Sequence, residues 1–309
     1  MSRRIRIYHH PACSAHDTGP GHPERPARLA AIAAALRQPE FATLDWQEAP
    51  LASFVQLTRV HPSAYVESVL AAIPSAGHSF LDGDTVVSPA SGEAALRAAG
   101  AVCAAVEDVL AGTIDSAFCL VRPPGHHAER AQAMGFCLFN NVAVGAAHAL
   151  SLDVERLAIV DFDVHHGNGT QDIFRSRPEC LYISSHQSPL YPGTGYPHER
   201  GAGNILNLPL KPRSGSQEFR AAWREHGLPA LQAHGPQLIL ISAGFDAHAR
   251  DPLASLYLDE EDYAWLTGEL LAVAECHAQG RIVSALEGGY DLDALAASAA
   301  AHVRALLGI

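Results

Sequence analysis

The chain has 309 residues, 48% of them hydrophobic and 17% charged, with a formal net charge of −12. That balance describes a soluble globular chain able to bury a sizeable core, and it excludes disorder. Lys211 is the one lysine, so there is no basic stripe of the kind that nucleic-acid phosphates require, and cationic or neutral substrates suit this net-acidic protein better.

Taken in chain order, "MSRRIRIYHH" is basic but lacks an apolar h-region, so it does not read as a signal peptide. An apolar run at 5–8 predicts the first strand, and 27–37, after Pro26, predicts a helix. Further strands are predicted at 117–121, 157–160, 181–184, 205–208, 238–241 and 282–286, and further helices at 91–110, 140–150, 217–233, 259–278 and 292–307. Strands alternating with helices imply an α/β fold with a central parallel sheet and helices on both faces. No Pro/Ser linker or repeat interrupts the chain, so 1–309 reads as a single domain. One segment at 186–203, "HQSPLYPGTGYPHERGAG", is too rich in Gly and Pro for regular structure and predicts a long ordered loop of functional kind. Six cysteines at 13, 103, 119, 137, 180 and 276 form no C-x-x-C pair and read as buried thiols in a reducing compartment. No apolar stretch has membrane character, and the expected location is the cytoplasm.

Five strand exits carry Gly together with His, Asp or Tyr: "RPPGHHAER", "DFDVHHGNG", "SHQSPLYPGTG", "GFDAHARDP" and "EGGYDLD". Ligands of open parallel sheets bind beyond the carboxyl ends of the strands, so if these five strands are neighbours their exits converge on one site. Asp163, His165 and Asp246 offer two carboxylates and an imidazole, a donor set suited to Zn²⁺ with a position left open for water. The D-x-H spacing at a strand end is expected to turn both side chains the same way; the bland alternative is a helix-capping Asp and a loop His. His126 and His127, on a loop stiffened by Pro123 and Pro124, read either as solvated histidines or as general acid/base groups, with Asp161 and Asn168 as partners. Tyr290, after Gly288 and Gly289, reads either as a packing tyrosine or as a hydrogen-bond donor to an oxyanion.

Together these motifs resemble the histone deacetylase superfamily, which includes the acetylpolyamine amidohydrolases. The likeness runs from "HPERPARL" (22–29) through "RPPGHHAERAQAMGFCLFNN" (122–141), "VDFDVHHGNGT" (160–170), "YPGTG" (191–195) and "SAGFDAH" (242–248) to "EGGY" (287–290), with "RPPGHHA", Asn168 and "EGGY" similar to the class II branch. The resemblance implies the arginase–deacetylase α/β/α sandwich. It implies one Zn²⁺ on Asp163, His165 and Asp246, and a structural K⁺ near Asp161, Asp163, His165 and Ser184. It makes His127 the general base and acid, His126 paired with Asp161 an electrostatic support, and Asn168 the group that orients His127, where many class I relatives have Asp. Tyr290 polarises the amide carbonyl; some class IIa relatives carry His there. Gly135 with Phe136, and Tyr191 in place of the commoner Phe, correspond to the walls of an acyl-lysine channel, and Asp84 to the rim group that grips the substrate.

The implied activity is metal-assisted removal of acetyl or other acyl groups from acyl-lysine side chains or small acetylated amines. An acetylpolyamine amidohydrolase is the alternative. In the polyamine deacetylase branch a Glu stands where this chain has Leu253, and 74–84 is short for the loop inserted in the acetylpolyamine enzymes, so acyl-lysine is the expected substrate. An arginase-type ureohydrolase needs further carboxylates where this chain has Gly167 and His248. A non-catalytic acetyl-lysine binder is expected to have lost a ligand, the His pair or Tyr290, and all are present.

Overall fold

The computed structural model describes residues 3–309; the first two residues, part of the expected domain and of the segment read as no signal peptide, lie outside the described residues. The strands are β1 (Ile5–His9), β2 (Asp45–Glu48), β3 (Ser79–Phe80), β4 (Val86–Val87), β5 (Ser116–Cys119), β6 (Leu157–Asp161), β7 (Cys180–Gln187), β8 (Ile205–Leu210), β9 (Ile239–Ala243) and β10 (Ile282–Leu286). Eight form one parallel sheet in the order β2-β1-β5-β10-β9-β6-β7-β8, and β3 and β4 make a small antiparallel hairpin. The five strands whose exits bear the polar motifs, β5, β10, β9, β6 and β7, are therefore consecutive neighbours, and the exits do converge.

Every residue of β5, β6, β9 and β10 is buried, as expected of parallel strands covered on both faces. Leu240 of β9 meets Gly145 of the helix Asn141–Leu150, which packs against Ser91–Leu110. Ser284 of β10 points the other way, to His302 of the helix Leu292–Leu307, which packs against Ala27–Ala35 and Glu260–His277.

Several elements differ from the expectations. β2, read "DWQE", and the helix Ser63–Ala71 had not been predicted. The helix expected at 217–233 is three pieces: Ser216–Ala222, a π-turn at Trp223–Gly227, and Leu228–His234. Pro229 has no N–H to offer the ladder, so the Leu228 N–H bonds to the Trp223 carbonyl instead and the turn widens. Five cysteines are buried as expected, but Cys276 is exposed. Among the described residues no helix is long and apolar enough to cross a membrane.

His302 yields a stability prediction. Its Nδ1 meets Thr267 Oγ1 at 2.7 Å and its Nε2 meets Ser284 Oγ at 2.9 Å, with the ring fully buried. Burial lowers its pKa from 6.5 to about 3. The native state thus holds this ring neutral while the unfolded chain protonates it, so stability is lost as pH falls below 6.5. The slope rises toward about 1.4 kcal/mol per pH unit as pH falls through this range, averaging about 1 between pH 6.5 and 5. Urea unfolding of His302→Gln at several pH values between 6.5 and 5 is expected to show a pH slope shallower by that amount, and an unchanged slope refutes the assignment.

Candidate active site

The loop leaving β5 is held by a buried carboxylate. Glu287 Oε2 accepts the Gly125 and His126 N–H groups at 2.6 and 3.2 Å, and its Oε1 accepts the Ser242 hydroxyl at 3.1 Å. Burial pushes the Glu287 carboxyl up to about 7. The loop delivers two histidines with ring centroids 4.0 Å apart.

Their partners differ in charge. His126 Nδ1 lies 3.0 Å from Asp161 Oδ2, which also accepts the Tyr182 hydroxyl at 2.9 Å. Burial opposes a charged His126, but Asp161 and then Asp163 override it and raise its pKa well above the usual value. His127 Nδ1 lies 2.8 Å from Asn168 Oδ1, and the Asn168 amide nitrogen donates to Glu129 Oε1 at 2.8 Å. That second bond fixes which end of the amide faces His127, so Nδ1 carries the proton and the Nε2 lone pair is free. Burial, then the neighbouring His126, holds His127 well below its usual pKa. Environment therefore pushes the pKa values of two adjacent imidazoles in opposite directions.

Asp163, His165 and Asp246 meet beyond the ends of β6 and β9, and their donor atoms lie within 4.8 Å of one another. The strand alternation expected to align Asp163 and His165 is not the cause, because β6 ends at Asp161. A turn does it instead: Asp163 Oδ1 accepts the His165 N–H at 2.9 Å, and Asp246 Oδ1 accepts the Val164 N–H at 2.9 Å. His165 Nδ1 then sits 3.1 Å from both Asp163 Oδ1 and Asp246 Oδ2. One imidazole nitrogen carries at most one proton and cannot satisfy two buried carboxylates. A tetrahedral zinc site with ~2.0–2.1 Å bonds has edges of roughly 3.3 Å, close to these separations, so the donor set fits a divalent cation. It is the sole such cluster among the described residues.

A cavity of about 260 Å³ opens onto these groups. Its lining includes Asp84, His126, His127, Gly135, Phe136, His165, Tyr191, Leu253 and Tyr290, so most of the predicted site residues share one space, while Asp161 and Asn168 meet His126 and His127, and Asp163 and Asp246 meet His165. Gly135 is demanded by geometry: at φ +58° it passes so close to His127 that an added Cβ would lie 2.5 Å from the ring. Phe136 follows at φ 69°, a strained conformation for a bulky side chain, its N–H held by Thr85 Oγ1 at 3.1 Å. Tyr191 faces His127 edge-on at 5.2 Å. Its irregular loop is pinned by His166 to Thr194 Oγ1 at 2.7 Å and by Gln171 to Glu199 at 2.6 Å. Burial, then the neighbouring Asp82, raises the Asp84 carboxyl at the rim. The Tyr290 hydroxyl has no hydrogen-bond partner among the described residues.

Sequence reasoning gave no role to Glu287, or to the buried cluster of Glu24, Arg28 and Arg122. Glu24 receives hydrogen bonds from both guanidiniums, and Arg28 Nε donates to the Gly289 carbonyl at 2.6 Å. Their place inside the motifs already singled out was the available signal: Glu24 and Arg28 stand in "HPERPARL", Arg122 in "RPPGHHA" and Glu287 in "EGGY".

A family model for the histone deacetylase domain matches residues 22–306. The chain is 40% identical over 315 residues to a histone deacetylase-like amidohydrolase of Pseudomonas aeruginosa, covering 94% of this chain and 82% of that one. It is also 40% identical over 285 residues to a probable deacetylase of Archaeoglobus fulgidus, covering 90% and 79%. Its structure is similar to the crystal structure of the HDA15 HD domain, with a TM-score of 0.94, 36% identity, and 99% and 90% of the two chains covered.

Proposed function

This chain belongs to the histone deacetylase family and has its α/β deacetylase fold, and from that premise we propose that it is a zinc-dependent amidohydrolase acting on acyl-lysine side chains. The observation that carries the reading is one cavity lined by His127 with a free Nε2, by Tyr290 with an unpartnered hydroxyl, and by His165, which meets Asp163 and Asp246 to complete a set of three donors.

Bound by those donors, zinc supplies Lewis acidity toward water and the amide carbonyl. Phe136 and Tyr191 flank the linear part of the substrate. His127 Nε2 takes a proton from the attacking water, with Asn168 holding Nδ1–H so that the ring cannot turn. The Tyr290 hydroxyl donates a hydrogen bond to the oxygen that gains negative charge. His127 then gives its proton from Nε2 to the leaving nitrogen as the C–N bond breaks, and a carboxylic acid and an amine depart, which in neutral solution are a carboxylate and an ammonium ion. Asp161 favours a proton on His126, and a proton there disfavours a second positive charge beside it, which helps His127 to surrender its own. A structural K⁺ beside Asp161, Asp163, His165 and Ser184 belongs to the same proposal, supported by Asp161 and Ser184 being cross-strand partners on β6 and β7. A cytoplasmic location is supported by six unpaired cysteines.

Gly167 weighs against a ureohydrolase: a Cβ there would lie 2.3 Å from Asp161 Oδ2, so no additional carboxylate ligand fits.

Substrate choice rests on Leu253. An apolar residue lining the cavity does nothing for the extra ammonium groups of a polyamine, which would need a carboxylate there. Asp84 at the rim is the observation that favours acetylpolyamines as a second reading. Steady-state kinetics on both substrates decides between them. An acetyl-lysine peptide is expected to have the higher kcat/KM than N-acetylputrescine or N8-acetylspermidine, and Leu253→Glu is expected to shift the preference toward the polyamine. A wild-type preference for an acetylpolyamine of ~10-fold, or ~1.4 kcal/mol, overturns the acyl-lysine assignment.

A further inference from the structure

The loop after β9 carries Leu253 and the loop after β10 carries Tyr290. Both are irregular, so their placement depends on individual bonds rather than on a sheet ladder or helix. One buried carboxylate joins them. Asp251 Oδ2 accepts the Tyr290 N–H at 2.7 Å, and Asp251 Oδ1 accepts the Leu253 N–H at 3.0 Å.

The peptide unit between Gly289 and Tyr290 is thereby gripped at both ends. Its carbonyl oxygen receives the Arg28 guanidinium at 2.6 Å, and its N–H points to the Asp251 carboxylate. Turning that peptide over would set the carbonyl against the Asp251 acceptor oxygen and the N–H against the guanidinium donor, so the two partners select one orientation. The grip is needed because Gly289, at φ +119°, gives the turn freedom an ordinary residue lacks. It also matters functionally, because the Tyr290 ring is held by packing against Phe136 and Arg28 and not by a bond to its hydroxyl, so the hydroxyl's position depends on where the backbone sets the ring.

We propose that Asp251 is the positioning residue for Tyr290, fixing the peptide that aims its hydroxyl into the cavity while tying it to the substrate rim at Leu253. The inference rests on Tyr290 being the oxyanion donor. An amide in place of the carboxylate has one acceptor and one donor, so Asp251→Asn cannot satisfy both N–H groups. Arg250 provides a control, since it links the loop after β9 to Asp291 and Asp293 at the exposed start of the helix Leu292–Leu307, where such pairs contribute little.

The test is a double-mutant cycle on the zinc-loaded enzyme with an acetyl-lysine peptide: Asp251→Asn, Tyr290→Phe, both together, and Arg250→Ala. Asp251→Asn is expected to lower kcat by ~10-fold or more, a share of what one oxyanion donor provides, with KM and zinc content close to wild type. In the Tyr290→Phe background the same change is expected to alter kcat by less than ~2-fold, because a displaced hydroxyl no longer counts. Arg250→Ala is expected to stay near wild type. If Asp251→Asn does not fold, Asp251→Glu, which keeps two acceptor oxygens but moves them, goes through the same cycle. A wild-type kcat for the Asp251 variant, or a loss that persists undiminished without the tyrosine hydroxyl, overturns the positioning role alone. A wild-type kcat for Tyr290→Phe overturns both that role and the reading of Tyr290.

Discussion

Asp246→Ala is expected to yield a folded protein without stoichiometric zinc and with amide hydrolysis close to background. Asp163, His165 and Asp246 contribute one donor atom each, and three protein ligands are the usual minimum for a catalytic zinc that keeps a position open. With Asp246 gone, a single carboxylate and an imidazole remain. Losing an outer partner of a ligand already costs ~10–100-fold in affinity or activity, and losing the ligand itself costs more. Chelation of the wild type is expected to abolish hydrolysis, and added Zn²⁺ to restore it in the wild type but not in the variant. Metal content by elemental analysis, read beside kcat/KM, checks both. Full zinc occupancy in Asp246→Ala with unchanged hydrolysis would remove these residues from the metal site.

The parts of the fold that were legible share a cause. β5, β6, β9 and β10 are covered on both faces, so burial writes itself into the sequence as unbroken apolar runs. β2 lies at the edge of the sheet, and "DWQE" carries no such imprint. The site was legible as a set of residues because five consecutive strands end in polar motifs. The reason for its geometry was not legible: Asp163 and His165 converge through hydrogen bonds within a turn, beyond the strand whose alternation was expected to align them. The carboxylates of Glu287, Glu24 and Asp251 were harder still. A sequence shows that a carboxylate is present, but not that it is buried with its oxygens facing N–H groups from another loop, and those long-range bonds hold the catalytic loops in place.

Tyr290→Phe is expected to cut kcat by ~10²–10³-fold, about 2.7–4 kcal/mol, the scale of one oxyanion donor. The substitution removes a single atom. The ring keeps its edge-on contact with Phe136 at 6.2 Å and the Arg28 guanidinium 5.0 Å from its centre, so packing and the metal donors are left alone. KM and zinc content are therefore expected to stay near wild type, since an interaction made in the transition state alone appears in kcat. Burial, then the nearby Asp246 charge, pushes the phenol well above its usual pKa, so it remains a donor throughout the working range. The alkaline side of the kcat profile should accordingly show no step from this tyrosine. On the proposed role of His127, which must be neutral to take a proton from water, the acid side is expected to follow this ring; its pKa is held below 6.5, so activity is expected to fall only as pH drops beneath that value, in wild type and variant alike. A kcat within about twofold of wild type, at full zinc occupancy, would show that the oxyanion is stabilised without this hydroxyl.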